Sequence, residues 1–110
     1  MAFVTQEDRK MAKWADYGIS AVRYDSNDEY IDQVKVHKDN GDSIGAGETW
    51  SRKEVLSKMD DSKTFVTILK NDDKWKKGED VHIITVEGRR FLRTDANKKS
   101  KDNLENLPRF

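Results

Sequence analysis

The stretch Thr64-Phe65-Val66-Thr67-Ile68-Leu69-Lys70 constrains this chain most. Side chains alternate across a strand, so Phe65 and Leu69 face one way and Val66 and Ile68 the other. A strand apolar on both faces reads as central in a sheet. Few residues are available to cover it. Leu, Ile, Val and Phe number 23 of the 110 residues, while charged side chains make up 38%. With a high net charge, so thin an apolar set would approach the disordered range. Here 21 basic and 21 acidic side chains cancel, and a small packed core is allowed.

A second local signal is sharper still. In Trp50-Ser51-Arg52-Lys53-Glu54-Val55, Ser51 is placed to accept from the Glu54 backbone N–H, and the Glu54 side chain to accept from that of Ser51. Trp50 and Val55 occupy the flanking staple positions. A helix starts here, carries Val55, Leu56 and Met59 towards the core, and ends at Asp60-Asp61-Ser62. Residues 5–15 predict an earlier helix, capped by Thr5 and apolar at Met11, Trp14 and Ala15.

Residues 18–24 and 30–37 have strand character, separated by the polar turn Asp25-Ser26-Asn27-Asp28. In the second strand Tyr30, Val34 and Val36 share one side, and Ile31, Gln33, Lys35 and His37 the other. Asp32 falls on the more apolar side, which implies a strand edge or a hydrogen-bonded position. Residues 71–80 read as a long polar loop. Residues 81–86 and 89–94 form a hairpin about Glu87-Gly88. Residues 95–101 read as a surface loop. Residues 102–108 read as one helical turn, with Asp102 capping, Glu105 three later, Leu104 and Leu107 on one side and Pro108 ending it.

The order predicts an α+β domain: one antiparallel sheet of about five strands, a capped central helix packed on one face, an N-terminal helix and a short C-terminal helical turn. The length corresponds to a single domain, 1–110, with 1–16 as a helical addition and 17–110 as the core.

Three segments stand in order at suitable spacing: Thr49-Trp50-Ser51-Arg52-Lys53-Glu54-Val55, Gly88-Arg89-Arg90-Phe91-Leu92-Arg93-Thr94-Asp95 and Asp102-Asn103-Leu104-Glu105-Asn106-Leu107-Pro108. Together they resemble the small bacterial "domain of unknown function 3892" family over about residues 17–108. The resemblance implies no activity, and it carries over no catalytic residue.

The chemistry of the chain is defined mostly by exclusion. No cysteine is present, which removes disulfides, thiolate zinc sites and cysteine catalysis. No apolar run approaches the ~20 residues of a membrane helix, and Met1–Lys10 has no signal-peptide core. His37 and His82 are too far apart in sequence for a recognisable zinc spacing. Gly45-Ala46-Gly47 lacks the lysine of a phosphate loop, and Asp25, Asp28, Asp39 and Asp42 depart from the calcium-loop pattern. The expectation is a cytoplasmic, bacterial or phage protein that is not an enzyme, with no cofactor and no metal, acting by binding.

Charge gives the candidate surface. Residues 1–62 hold 9 basic and 13 acidic side chains, and residues 63–110 hold 12 and 8. The basic excess gathers in Lys74-Trp75-Lys76-Lys77, in Arg89-Arg90-Phe91-Leu92-Arg93 and in Lys98-Lys99-Ser100-Lys101. The candidate binding residues are Lys74, Trp75, Lys76, Lys77, Arg90 and Arg93. Trp75 either stands exposed as a contact residue or folds back over the sheet. A protein partner or self-association is the first reading. Nucleic acid or another polyanion, held by cations interleaved with rings, is the second, and a small hydrolase the third. No membrane is implied.

Overall fold

The computed structural model describes residues 13–27, 29–41, 43–95, 102–104 and 107–110. Strands β1 (Tyr17–Tyr24), β2 (Ile31–Lys38) and β3 (Glu48–Ser51) come first. Helix α1 (Arg52–Asp60) follows, then β4 (Phe65–Asn71), β5 (Lys74–Asp80), β6 (His82–Val86) and β7 (Arg89–Arg93). The first five strands form one sheet in the order β3-β2-β1-β4-β5, and β6 and β7 form a second. β4 lies between β1 and β5, the interior place its two apolar faces require.

This corrects the α+β expectation. The protein is mostly β, with α1 the one helix among the described residues. The main sheet is mixed, because β1 and β4 run parallel. Two of its strands, β3 and β5, were not anticipated, and the 81–94 hairpin forms a sheet of its own. The predicted polar loop at 71–80 is instead the second arm of a hairpin. Asp72 and Asp73 turn it with φ of 53° and 64°, values that short polar side chains tolerate better than most. Of the predicted C-terminal turn, residues 105 and 106 lie outside the described set and 102–104, 107 and 108 are not helical; Asn103 makes a parallel bridge to Arg93. Of the predicted N-terminal helix, residues 5–12 lie outside the described set and 13–15 are not helical. The lysines at 98, 99 and 101 also lie outside it.

The capping box at α1 is present as read. Glu54 N donates to Ser51 Oγ at 3.2 Å, and Ser51 N donates to Glu54 Oε1 at 3.0 Å. Trp50 lies edge-on to Tyr17 with ring centroids 5.0 Å apart, and 6.2 Å from Phe65.

Two bulges decide which side chains reach which face. Ile19 pairs with Val36 and Ala21 with Lys35, leaving Ser20 as the extra residue. Arg23 pairs with Gln33 and Tyr24 with Ile31, leaving Asp32 as the second. The second bulge returns Ile31 to the side of Val34 and Val36, where strict alternation would have put it with Gln33. On that side Ile19, Val22, Ile31, Val34, Val36 and Phe65 pack with Val55 and Leu56 of α1, Leu92 of β7, and Leu104 and Leu107. Both the helix and the small sheet therefore cover one face. The opposite face carries a smaller cluster of Ala15, Val66 and Ile68, with Ile44 and Trp75 against it.

Candidate functional site

The structure does not bring the six candidate residues together. β5 alternates, and cross-strand partners share a face. Trp75 and Lys77, in register with Lys70 and Ile68, belong to the face away from α1. Lys74 and Lys76, in register with Asn71 and Leu69, belong to the other. Arg90 is held by Asp60, with Nη1 to Oδ1 at 2.6 Å. Arg93 is 2% exposed and donates to both oxygens of Asp95, at 2.7 and 3.0 Å. Trp75 is half-buried against the sheet, its ring 5.0 Å from that of His37.

His37 is buried and fully engaged. Its Nδ1 lies 2.9 Å from the Gly45 carbonyl, and its Nε2 lies 2.7 Å from Ser20 Oγ. A carbonyl only accepts, so Nδ1 carries the hydrogen, and in the neutral imidazole the Ser20 hydroxyl donates to Nε2. A serine so placed has the first contact of a nucleophile–base pair. The imidazole, however, is enclosed: a Cβ at Gly47 would stand 2.9 Å from its Cε1, and Trp75 covers another side. The contacts join β1, β2 and the 45–47 segment, and packing accounts for them. His82, on β6, is exposed. Among the described residues, no cluster of three His, Asp or Glu side chains is placed to hold a metal ion. No helix among them is long and apolar enough to cross a membrane.

The feature that the sequence runs obscured is the face of the five-stranded sheet away from α1. Register places Thr49 of β3, Gln33 and Lys35 of β2, Arg23 of β1, Lys70 of β4, and Trp75 and Lys77 of β5 on it. Among the described residues Arg23, Lys35 and Lys70 make no ion pair. At the border Asp80 holds Lys77 at 3.7 Å, and Asp32 sits at the β2 bulge. Arg52, Arg90 and Arg93 are each paired to an aspartate, whereas Lys74 and Lys76 on the α1 side of β5 make no ion pair among the described residues.

Two aromatic rings lie among these cations. Residues 108–110 run alongside β1: Val22 N donates to the Pro108 carbonyl at 2.9 Å and Phe110 N to the Val22 carbonyl at 3.2 Å. That register sets Phe110 beneath two cations, with Arg23 Cζ 4.7 Å and Lys35 Nζ 5.4 Å from its ring centroid. Arg23 also donates to the Phe110 carbonyl at 2.9 Å and to Gln33 Oε1 at 3.2 Å, so its guanidinium is held in place. Trp75 carries Lys70, whose Nζ is 5.2 Å from the ring centroid. Sequence clusters did not point to this surface. The available signal was alternation in β2, where Gln33, Lys35 and His37 fall two apart, continued by register onto Arg23.

Fold and surface together define a small β-rich domain with one face packed and the other open and cationic. The chain belongs to the family described as "Protein of unknown function (DUF3892)", whose family model matches residues 18–108. No curated protein and no solved structure matches it significantly.

Proposed function

We propose that this domain binds single-stranded nucleic acid across the open face of its five-stranded sheet. The observation that carries the reading is the set of cations Arg23, Lys35 and Lys70 on one face, none of them bonded to an Asp or Glu side chain among the described residues, interleaved with the Phe110 and Trp75 rings. Cations neutralise phosphates, and rings offer stacking surface to bases whatever their sequence. The zero net charge of the whole chain does not oppose this, because a ligand meets the local field of the face. Of the two binding readings taken from the sequence, the geometry favours the polyanion. This reading takes the surface to be the residues that alternate along strands and not the basic runs.

An acidic protein would satisfy the charges but would leave the rings without a planar partner. The experiment that separates the two is fluorescence anisotropy with a labelled oligothymidylate, at low and at physiological salt, against a labelled polyglutamate of equal charge. The expected result is binding to the oligonucleotide that weakens steeply with salt, by a log–log slope of about −2 to −3 for three or four phosphate contacts. Arg23→Glu with Lys35→Glu should lower that affinity roughly tenfold or more, since each lost contact also becomes a repulsion. Lys76→Glu, on the opposite face of β5, should not change it. No binding at low salt, or equal binding of polyglutamate, would overturn the reading.

A further inference from the structure

At its β4–β5 corner the open face runs into a cleft of about 300 Å³, lined by Lys13, Trp14, Asp39, Ile44, Lys74 and Trp75 among others. Its walls are fixed by one carboxylate. Asp39, 4% exposed, accepts from Trp14 N at 2.8 Å, Ala15 N at 3.4 Å and Gly41 N at 2.9 Å. These bonds tie the segment before β1 to the turn after β2. Asp39 is thus committed to backbone donors. The indole of Trp75 is backed by His37, which Ser20 and Gly45 hold in turn. Trp14 is one of the two large apolar side chains standing exposed among the described residues, at 38%. Lys13 is 3.4 Å from Asp16 at the surface, while Lys74 makes no ion pair among the described residues.

We infer that this cleft takes one base of the bound strand, its ring against Trp14 and Trp75. The inference rests on the open-face reading and adds to it an enclosed position for one base, beside those stacked on the open face. The volume is at the small end for ligand pockets, room for one planar group and not for a stack of them. Two indoles and Ile44 supply the apolar contact.

The test compares a labelled oligothymidylate with an abasic oligomer of the same number of phosphates, at low salt. The wild-type protein should bind the base-bearing strand roughly fivefold or more tightly, the range of one stacking contact. Trp14→Ala should reduce that preference severalfold and leave abasic binding unchanged, while Trp14→Phe restores most of it. A second readout needs no variant: thymidine monophosphate should quench the wild-type tryptophan fluorescence saturably, and deoxyribose phosphate should not. A Trp14→Ala effect of the same size on both strands overturns the cleft assignment and leaves the open-face reading standing, whereas equal affinity for the two strands overturns base stacking at the cleft and at the open-face rings alike. If neither strand binds, both fall together.

Discussion

Arg52 grips Asp102 across fifty residues of sequence, with Nε to Oδ2 at 2.7 Å and Nη2 to Oδ1 at 3.2 Å. The carboxylate is fully buried, and two backbone donors complete its set: Ile31 N at 2.7 Å and Leu92 N at 2.8 Å. Arg52 also donates to the Arg90 carbonyl. The three segments that carry the family resemblance therefore meet at one point. Residues 49–55 bring Arg52, residues 88–95 bring Leu92, and residues 102–108 bring Asp102. Their shared signature is a clasp that closes the helix and the small sheet over the core face.

Removing the acceptor should be costly. Asp102→Ala leaves a guanidinium and two buried N–H groups without a partner, and a loss of ~3–5 kcal/mol is expected, the range for breaking a buried pair from one side. Arg52→Lys keeps the charge but loses the two-pronged contact, and should lose less. Urea unfolding of the two variants measures this. A change below ~1 kcal/mol for Asp102→Ala would mean that water replaces the carboxylate and that the clasp is not what holds the segments.

A second carboxylate ties the starts of the two parallel strands. Asp16 Oδ2 accepts from Thr64 N at 2.8 Å and from the Thr64 hydroxyl at 3.1 Å. Chiefly through that backbone bond, and further through the Thr64 hydroxyl and Lys13, its carboxyl is held below the ordinary 3.8. A lowered folded value means that folding favours the ionised form. The stabilisation is whole above the unfolded pKa of ~3.9 and is lost as pH falls through the lower folded value. Asp16→Asn should therefore be less stable than wild type at neutral pH, with the two stabilities converging in acid below about pH 4. Melting curves across that range check it; a gap that persists undiminished into acid would remove Asp16 ionisation as the cause.

The parts of the fold legible in the sequence were those with a strong local cause. The capping box at Ser51 and Glu54, the two-sided apolar β4 and the Glu87-Gly88 hairpin needed only their own residues. What escaped was set by partners distant in sequence. β5 is a charged segment that reads as loop, and becomes a strand because β4 offers it an edge. The pattern Asp102 to Glu105 has the spacing of a capped turn, yet the carboxylate is claimed by donors from Arg52, Ile31 and Leu92. The surface escaped for a related reason. Runs of lysine draw the eye along the chain, whereas a sheet collects every second residue from several strands.

The β4–β5 turn should be improvable. Asp72 and Asp73 both hold positive φ, a conformation that strains residues with a Cβ. Replacing the pair with Asn-Gly, the residues this turn favours, is expected to raise stability by ~0.5–1 kcal/mol. The hairpin carries Trp75, so the variant should keep nucleic-acid affinity within about twofold if the turn acts only as a connector. A denaturation midpoint that falls instead would show that the aspartate side chains, not the turn backbone, determine the preference.

Two leucines facing one hollow beside β5 should behave oppositely. Thr67, Leu69, Leu104 and Leu107 line it together. Leu107 is 6% exposed and belongs to the core, whereas Leu69 is 40% exposed. Leu107→Ala should cost ~2–5 kcal/mol, the transfer of its methyl groups plus the cavity left behind. Leu69→Ala should stay within about 0.5 kcal/mol, since little of its surface leaves water on folding. Paired urea titrations decide the matter. Equal losses would mean that the hollow closes over Leu69 in solution, and a negligible loss at Leu107 would show that the 107–110 segment does not seal the core.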